Sequence, residues 1–329
     1  MWILLAIVLI AILFQFFSLK HALEDLHYNY EPSKRLNAPE EAFDMITTIH
    51  NNSRRFIPYV RLIESMPNSA KVYLEGAEIE DYKFMNEIWH ISKIFLMPKS
   101  TVVRKFPISF PKRGRYTFSA CNLNVGDFLG IKEESIKINS RCEVVVYPKA
   151  ADFNYAIKQL GGFFGDMSVR RFIIEDPILT SGFAEYTGRE PMKAISWPQS
   201  AKYGRMMVKT FDYTTELSVS LVLNIEGSDE EIEKSLSLTH TICAILERKR
   251  IKYNFYSNLI PEGAKNVWTY IAEGLGNRHF QLILEGLGRA TYKSTKPLEK
   301  LIADIPKERG IILVSCGKVE EVANEGGMR

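Results

Sequence analysis

From Leu26 to Pro148 the chain is built of short β-prone runs, among them DMITTIHNNS, PYVRLIESMP, AKVYLEG, TVVRKFPISF, GRYTFSACNL and CEVVVYP, separated by Asn, Pro and Gly. Several short strands at near-regular spacing with turn residues between them predict an antiparallel β-sandwich over residues 26–148. The polar HNNSRR reads as a hairpin tip, and PKRGRY starts a strand after a turn. Arg54, Arg55, Arg113 and Arg115 read there as solvated turn charges, with a basic face as the functional alternative.

Residues 149–215 change character: FNYAIKQLGGFFGD suggests a short helix broken at Gly161 and Gly162, and the stretch reads as a connector. From residue 216 to 329 the texture becomes α/β. ELSVSLVLNIE is long and β-branched enough for a buried strand, and Ser228 and Asp229 after it can cap a helix. Ile232, Leu236, Thr239, Cys243 and Leu246 then recur at helical spacing on one face. IKYNFYS, HFQLILEGL, LEKLIADIP and GIILVSCG continue as strand, helix, helix and strand. Such alternation predicts a mainly parallel sheet covered on both faces, with ligands at the carboxyl ends of its strands, here Asn224–Ser228 and Ser315–Lys318.

Ahead of both regions lies WILLAIVLIAILFQFFSL, Trp2 to Leu19, uncharged and nearly long enough to span a bilayer. Without a basic n-region or small cleavage-site residues it reads as a transmembrane helix over residues 1–19 and not a signal peptide. Lys20, Lys34 and Arg35 after it favour a cytoplasmic body, which makes the expected protein single-pass in the cell membrane, touching lipid through that helix. Cys121, Cys142, Cys243 and Cys316 are scattered in apolar stretches, as reduced core thiols are; Cys121 and Cys142 are the one pair expected to share a domain. A formal net charge of +3 without a basic run gives no support to nucleic-acid binding.

Several chemistries are excluded or weakened by what is missing. GLGRATYKST lacks the Gly before Lys293 that a phosphate-binding P-loop needs. The GLG segments at Gly274–Gly276 and Gly286–Gly288 lack a dinucleotide fingerprint and read as turns. His240 and Cys243 stand three apart, but no second ligand pair follows them for zinc. No G-x-S-x-G elbow occurs, so the chain reads as a non-enzyme.

One stretch is more specific. GFAEYTGREPMKAISWPQSAKYGRMMVKTF places Trp197 before a proline in a charged loop. It resembles the signature of the bacterial "domain of unknown function fifty-eight" family, roughly R-E-Y-x-P-G-D-x-x-R-x-I-x-W-x-x-S-A-R followed by G-x-L-x-V-x-x-F. Glu185 and Tyr186 match the E-Y pair, Gly188 the glycine, Lys193 the basic position, Ile195 and Trp197 the I-x-W, and Ser200, Ala201 and Lys202 the S-A-R. Gly204, Met206, Val208 and Phe211 fall on the following strand. Ala184 replaces the first Arg, Thr187 the Pro, and Arg189 with Glu190 the Gly-Asp. Asp127 to Gly130 resembles a further D-x-x-G of the family.

The resemblance implies an N-terminal membrane span, a β-rich domain and a von Willebrand factor A-like domain. That domain's metal-dependent adhesion site uses D-x-S-x-S to offer hard oxygens to Mg²⁺. The matching stretch here is degenerate, with Asn224, Glu226 and Ser228, so no cofactor is expected and Mg²⁺ is the runner-up. The loop reads either as a clamp, with Trp197 as a buried plug, or as a partner-binding surface displaying Arg189, Lys193 and Lys202. The resemblance further implies a membrane-anchored adaptor or assembly factor beside a MoxR-type AAA+ ATPase in envelope or protein maturation. A metal-dependent adhesion module outside the cell and a membrane-bound hydrolase are the rivals.

Overall fold

The computed structural model describes residues 2, 25–73, 78–82, 87–119, 121–126, 133–139, 141–161, 174–188, 191–214, 218–263, 267–303, 305 and 310–322. Its chain divides into two compact units. One comprises Met1–Ala150, Leu259–Trp268 and Phe280–Thr295; the other comprises Ala151–Asn258, Thr269–His279 and Lys296–Arg329.

The strands of the first stretch are β1 (Leu26–Pro32), β2 (Leu36–Asn37), β3 (Phe43–Asn51), β4 (Ile57–Pro67), β5 (Lys71–Val72), β6 (Glu78–Tyr82), β7 (Glu87–Leu96), β8 (Thr101–Ser109), β9 (Gly114–Phe118), β10 (Cys121–Gly126), β11 (Glu133–Ile138) and β12 (Cys142–Val146). There follow α1 (Phe153–Gln159), β13 (Ile174–Glu185), α2 (Trp197–Tyr203), β14 (Met207–Thr214), β15 (Ser218–Leu223), α3 (Asp229–Lys249) and β16 (Lys252–Ser257). The chain continues through β17 (Leu259–Pro261), β18 (Tyr270–Gly274), α4 (Asn277–Arg289), β19 (Ala290–Ser294), α5 (Leu298–Ala303), β20 (Gly310–Ser315) and β21 (Lys318–Val322).

In the first unit two antiparallel sheets, ordered β1-β3-β8-β5 and β11-β10-β4-β7-β6, carry most of the strands. The alternation that makes this possible is visible in β3, where Phe43, Met45, Thr47, Ile49 and Asn51 are buried and the residues between them are not. Met45, Met66, Phe106, Phe110, Phe118 and Val146 form one core cluster; Ile49, Val60, Leu62, Leu96 and Leu123 form another. A third, small sheet runs β2-β12-β9.

Two of the turn arginines are structural, contrary to the reading of solvated charge. Arg113 donates from Nη1 to the carbonyls of Leu287 (3.2 Å) and Ala290 (2.7 Å), which satisfies acceptors at the end of α4. Arg115 Nε donates to Glu143 Oε2 at 2.7 Å. The other oxygen of Glu143 meets Arg289, a cation only 6% exposed that also pairs with Glu285 at 2.9 Å. The hydrogen bond from Arg289, and then that from Arg115, hold the Glu143 carboxyl below the usual carboxylate range against the opposing effect of partial burial. A depressed carboxylate contributes stability that is complete above its unfolded value, near 4.5, and lost as pH falls through the lower folded value. Acid titration of the wild type should therefore show a loss of stability below that pH, and an Arg289→Met variant should show a smaller one.

The second unit contains a five-stranded sheet ordered β18-β16-β15-β20-β21. It corrects the expected α/β domain with a mainly parallel sheet of von Willebrand factor A type. Only β15–β16 and β15–β20 are parallel; β16–β18 and β20–β21 are antiparallel, and the fold as described is predominantly antiparallel β. The reason at one edge is local: Cys316 and Gly317, with φ of 47° and 72°, close a two-residue turn between β20 and β21, and so short a connection permits only an antiparallel hairpin. The helix expected after Ser228 is α3, and its predicted face, Ile232, Leu236, Thr239, Cys243 and Leu246, is buried.

Among the described residues no helix is long and apolar enough to cross a membrane. This corrects the expected single-pass, membrane-anchored chain with a cytoplasmic body; the segment read as the span, residues 2–19, lies outside the described residues apart from Trp2. All four cysteines are free. Burial pushes the thiol of Cys121 up to about 12 and that of Cys142 up to about 11, whereas Cys316 is exposed and not a core thiol.

Candidate functional site

The signature stretch folds as a compact loop closed at its base by β13 and β14. Glu185 pairs in register with Met207, and Tyr186 N donates to Met206 O at 2.9 Å. Gly188, at φ 87°, turns the chain with a backbone geometry that disfavours side chains. Arg189 and Glu190 lie outside the described residues. Met192–Ala194 then forms a 3₁₀ turn carrying Lys193, and Ile195, buried, bridges to Val208. Ser196 N donates to Met207 O at 2.8 Å, and Met207 N returns a bond to Ser200 Oγ at 2.9 Å. Ser200 Oγ also donates to Ser196 O at 2.8 Å. Pro198 stands in the first turn of α2, and Gly204 ends the helix in the left-handed region at φ 68°.

The plug is thus Ile195, helped by Ser196, and not Trp197. Trp197 is 62% exposed, with Met192 at 69%, Tyr203 at 55% and Met206 at 47%. Ala201 is exposed too, as are Lys193 and Lys202, whose ammonium lies 5.9 Å from the Tyr203 ring centroid. Glu185 and Arg205 pair at 3.2 Å while both stay more than half exposed, which leaves that contact weak in water. The serines pin the loop so that its aromatic and cationic side chains face outward. Sequence reasoning missed this: Ile195 and Trp197 would share one face of an extended chain, but the chain turns into α2 at Trp197 and the ring ends exposed.

The degenerate metal motif is elsewhere in this unit, at the ends of β15, β16 and β20. Asn224, buried, donates from Nδ2 to Glu226 Oε2 (2.7 Å) and Ser315 Oγ (3.0 Å), and its Oδ1 accepts from Asn258 Nδ2 at 2.6 Å. Asn258 Oδ1 accepts from Ile225 N at 2.7 Å. Ser228 is committed to a capping box: its hydroxyl accepts from Glu231 N, and its own N–H donates to Glu231 Oε2 at 2.8 Å. That backbone hydrogen bond heads the causes that hold Glu231 below its usual range. The amide where an adhesion site has its first acid therefore serves as a knot tying three strand ends, with both of its N–H donors used and its oxygen accepting from Asn258. Among the described residues no group of three or more His, Cys, Asp and Glu is arranged to hold a metal ion. Cys243, of the His240–Cys243 pair, is fully buried, and its thiol is pushed up by that burial.

No family model matches the chain. An uncharacterized protein of Bacillus subtilis (strain 168), YeaD, is 22% identical over 236 residues, which cover 69% of this chain and 56% of that protein. The chain thus spans little more than half the length of this relative. Among solved structures, the CARDB domain of the PF1109 protein of Pyrococcus furiosus aligns at 13% identity over 37% of this chain and 92% of that domain, TM-score 0.24. A Clostridium perfringens cohesin module aligns at 12% over 36% and 96%, TM-score 0.26. Likenesses this slight carry no argument about fold or function.

Proposed function

We propose that this chain is a non-enzymatic docking protein, an adaptor or assembly factor in protein maturation, whose signature loop engages a protein partner. A MoxR-type AAA+ ATPase is the partner that the sequence resemblance implies. One observation carries the docking reading: a tryptophan at 62% exposure projects from a loop whose base is fixed by buried Ile195 and Ser196 and by the Ser200 hydrogen bonds. An exposed Trp costs solvation in the free protein and returns it on binding, and rigid aromatic anchors dominate interface energetics. The commitment of Asn224, Glu226 and Ser228 to one another and to neighbouring side chains favours this reading over a metal-dependent adhesion module.

The test is affinity capture from lysate in the presence of ATP, with captured proteins identified by mass spectrometry. Wild type is expected to retain an AAA+ ATPase, and Trp197→Ala to retain at least tenfold less. Because the side chain is exposed, the variant's stability should change by no more than about 0.5 kcal/mol. Equal capture by both proteins would remove the loop as the docking face, and capture of no ATPase by either would remove the proposed partner.

A further inference from the structure

The charges around the exposed tryptophan specify what it meets. Over residues 182–188 and 191–209 the loop and its base carry four exposed cations, Lys193, Lys202, Arg205 and Lys209, against one acid, Glu185. Glu185 is matched to Arg205, which leaves three lysines that enter no ion pair among the described residues. The same stretch exposes two aromatic rings and two thioethers, from Trp197, Tyr203, Met192 and Met206. Flexible methionines re-pack around apolar side chains of different shapes, whereas aromatic rings offer a flat, rigid platform. The combination asks for carboxylates at the edge and one apolar group at the centre.

We infer that the loop binds an acidic polypeptide segment bearing an aliphatic or aromatic side chain, which packs on Trp197 and the exposed methionines of the loop while its carboxylates pair with Lys193 and Lys202. This rests on the docking reading above and adds the chemistry of the partner. Charge complementarity raises the encounter rate and makes it salt-sensitive, while the apolar contact sets the residence time. A nucleic acid would present a denser line of phosphates than three lysines can follow, and it has no use for the thioethers.

The full chain would be titrated, by fluorescence anisotropy, into three labelled synthetic peptides of equal length: Glu alternating with Leu and Phe, Lys alternating with Leu and Phe, and Glu alternating with Ser. Vesicles containing phosphatidylglycerol and a single-stranded oligonucleotide form two further arms. The first peptide should bind at least tenfold more tightly than the other two. Its binding should weaken at least tenfold in Trp197→Ala and in the Lys193→Gln/Lys202→Gln double variant, and should weaken further as salt is raised. Equal binding of the Lys peptide would overturn the acidic component, and equal binding of the Glu–Ser peptide the apolar one. Tighter binding of the vesicles or oligonucleotide would replace the polypeptide with that ligand. If all peptides fail while ATPase capture still depends on Trp197, the inferred partner chemistry is wrong and the docking reading stands; if that dependence is lost as well, both fall.

Discussion

Arg289→Ala is expected to be among the most destabilising single substitutions in the first unit, at about 3 kcal/mol or more. The guanidinium is 6% exposed and is shared by Glu143 and Glu285, while its Nη1 also reaches the Glu262 carbonyl at 3.3 Å and its face lies 5.8 Å from the Trp268 ring. Removing it takes the cation from Glu285 and leaves Glu143 with Arg115 alone. Both acids remain more than a third exposed, so water recovers part of their solvation, which sets the estimate at the low end of the range for breaking a buried pair. For a unit of this size the melting temperature should fall by about 6 °C or more. Arg289→Met paired with Glu143→Leu should recover much of the loss, because a buried ion pair contributes little beyond an apolar replacement of similar volume. A shift below about 2 °C for Arg289→Ala, read by calorimetry, would show that the cluster is not what holds α4 to β12.

That cluster also shows where sequence reading stops. Arg115, Glu143 and Arg289 are separated by as many as 146 positions between paired residues, and nothing local in PKRGRY announces that its arginines close on a distant helix. Helix α3, by contrast, was legible: Ser228 caps it as read, although the box it forms with Glu231 was not, and the periodic apolar face is a consequence of a 3.6-residue repeat. The strands of the sandwich were legible for the same reason, with a repeat of two. Their partners were not, and the expected parallel sheet fails at its edges because strand direction follows connection geometry, as at the Cys316–Gly317 turn. At the signature loop the residues were identified, and Lys193 and Lys202 are displayed as expected, but the tryptophan expected as a buried plug is exposed. A Trp before a Pro reads as a core anchor on composition alone; the start of α2 at Trp197 departs from the extended backbone that would have set it beside buried Ile195.

Glu64 is a second buried charged residue whose loss should be felt strongly. In β4 the inward positions run Val60, Leu62, Glu64, Met66, so a carboxylate occupies a place the alternation reserves for an apolar side chain. It is 1% exposed, and three donors converge on it: Thr47 Oγ1 at 2.6 Å and Tyr28 OH at 2.9 Å on one oxygen, and His90 Nδ1 at 3.2 Å on the other. Burial, with the Glu64 charge second, pushes the Tyr28 phenol far up, which keeps it a donor. Tyr28 and Thr47 come from β1 and β3, and Glu64 and His90 from β4 and β7, so the network joins the two sheets. Glu64→Ala removes every acceptor and opens a cavity, which should cost about 3–5 kcal/mol. Glu64→Gln keeps one oxygen for Tyr28 and Thr47 but turns an amide toward His90, and about half that loss is expected. Urea unfolding should show both midpoints lowered in that order with an unchanged slope, since the surface exposed on unfolding stays the same. If Ala and Gln were equally costly, the hydrogen bonds from Tyr28 and Thr47 would be contributing nothing, and the stabilisation would lie in the His90 pair alone.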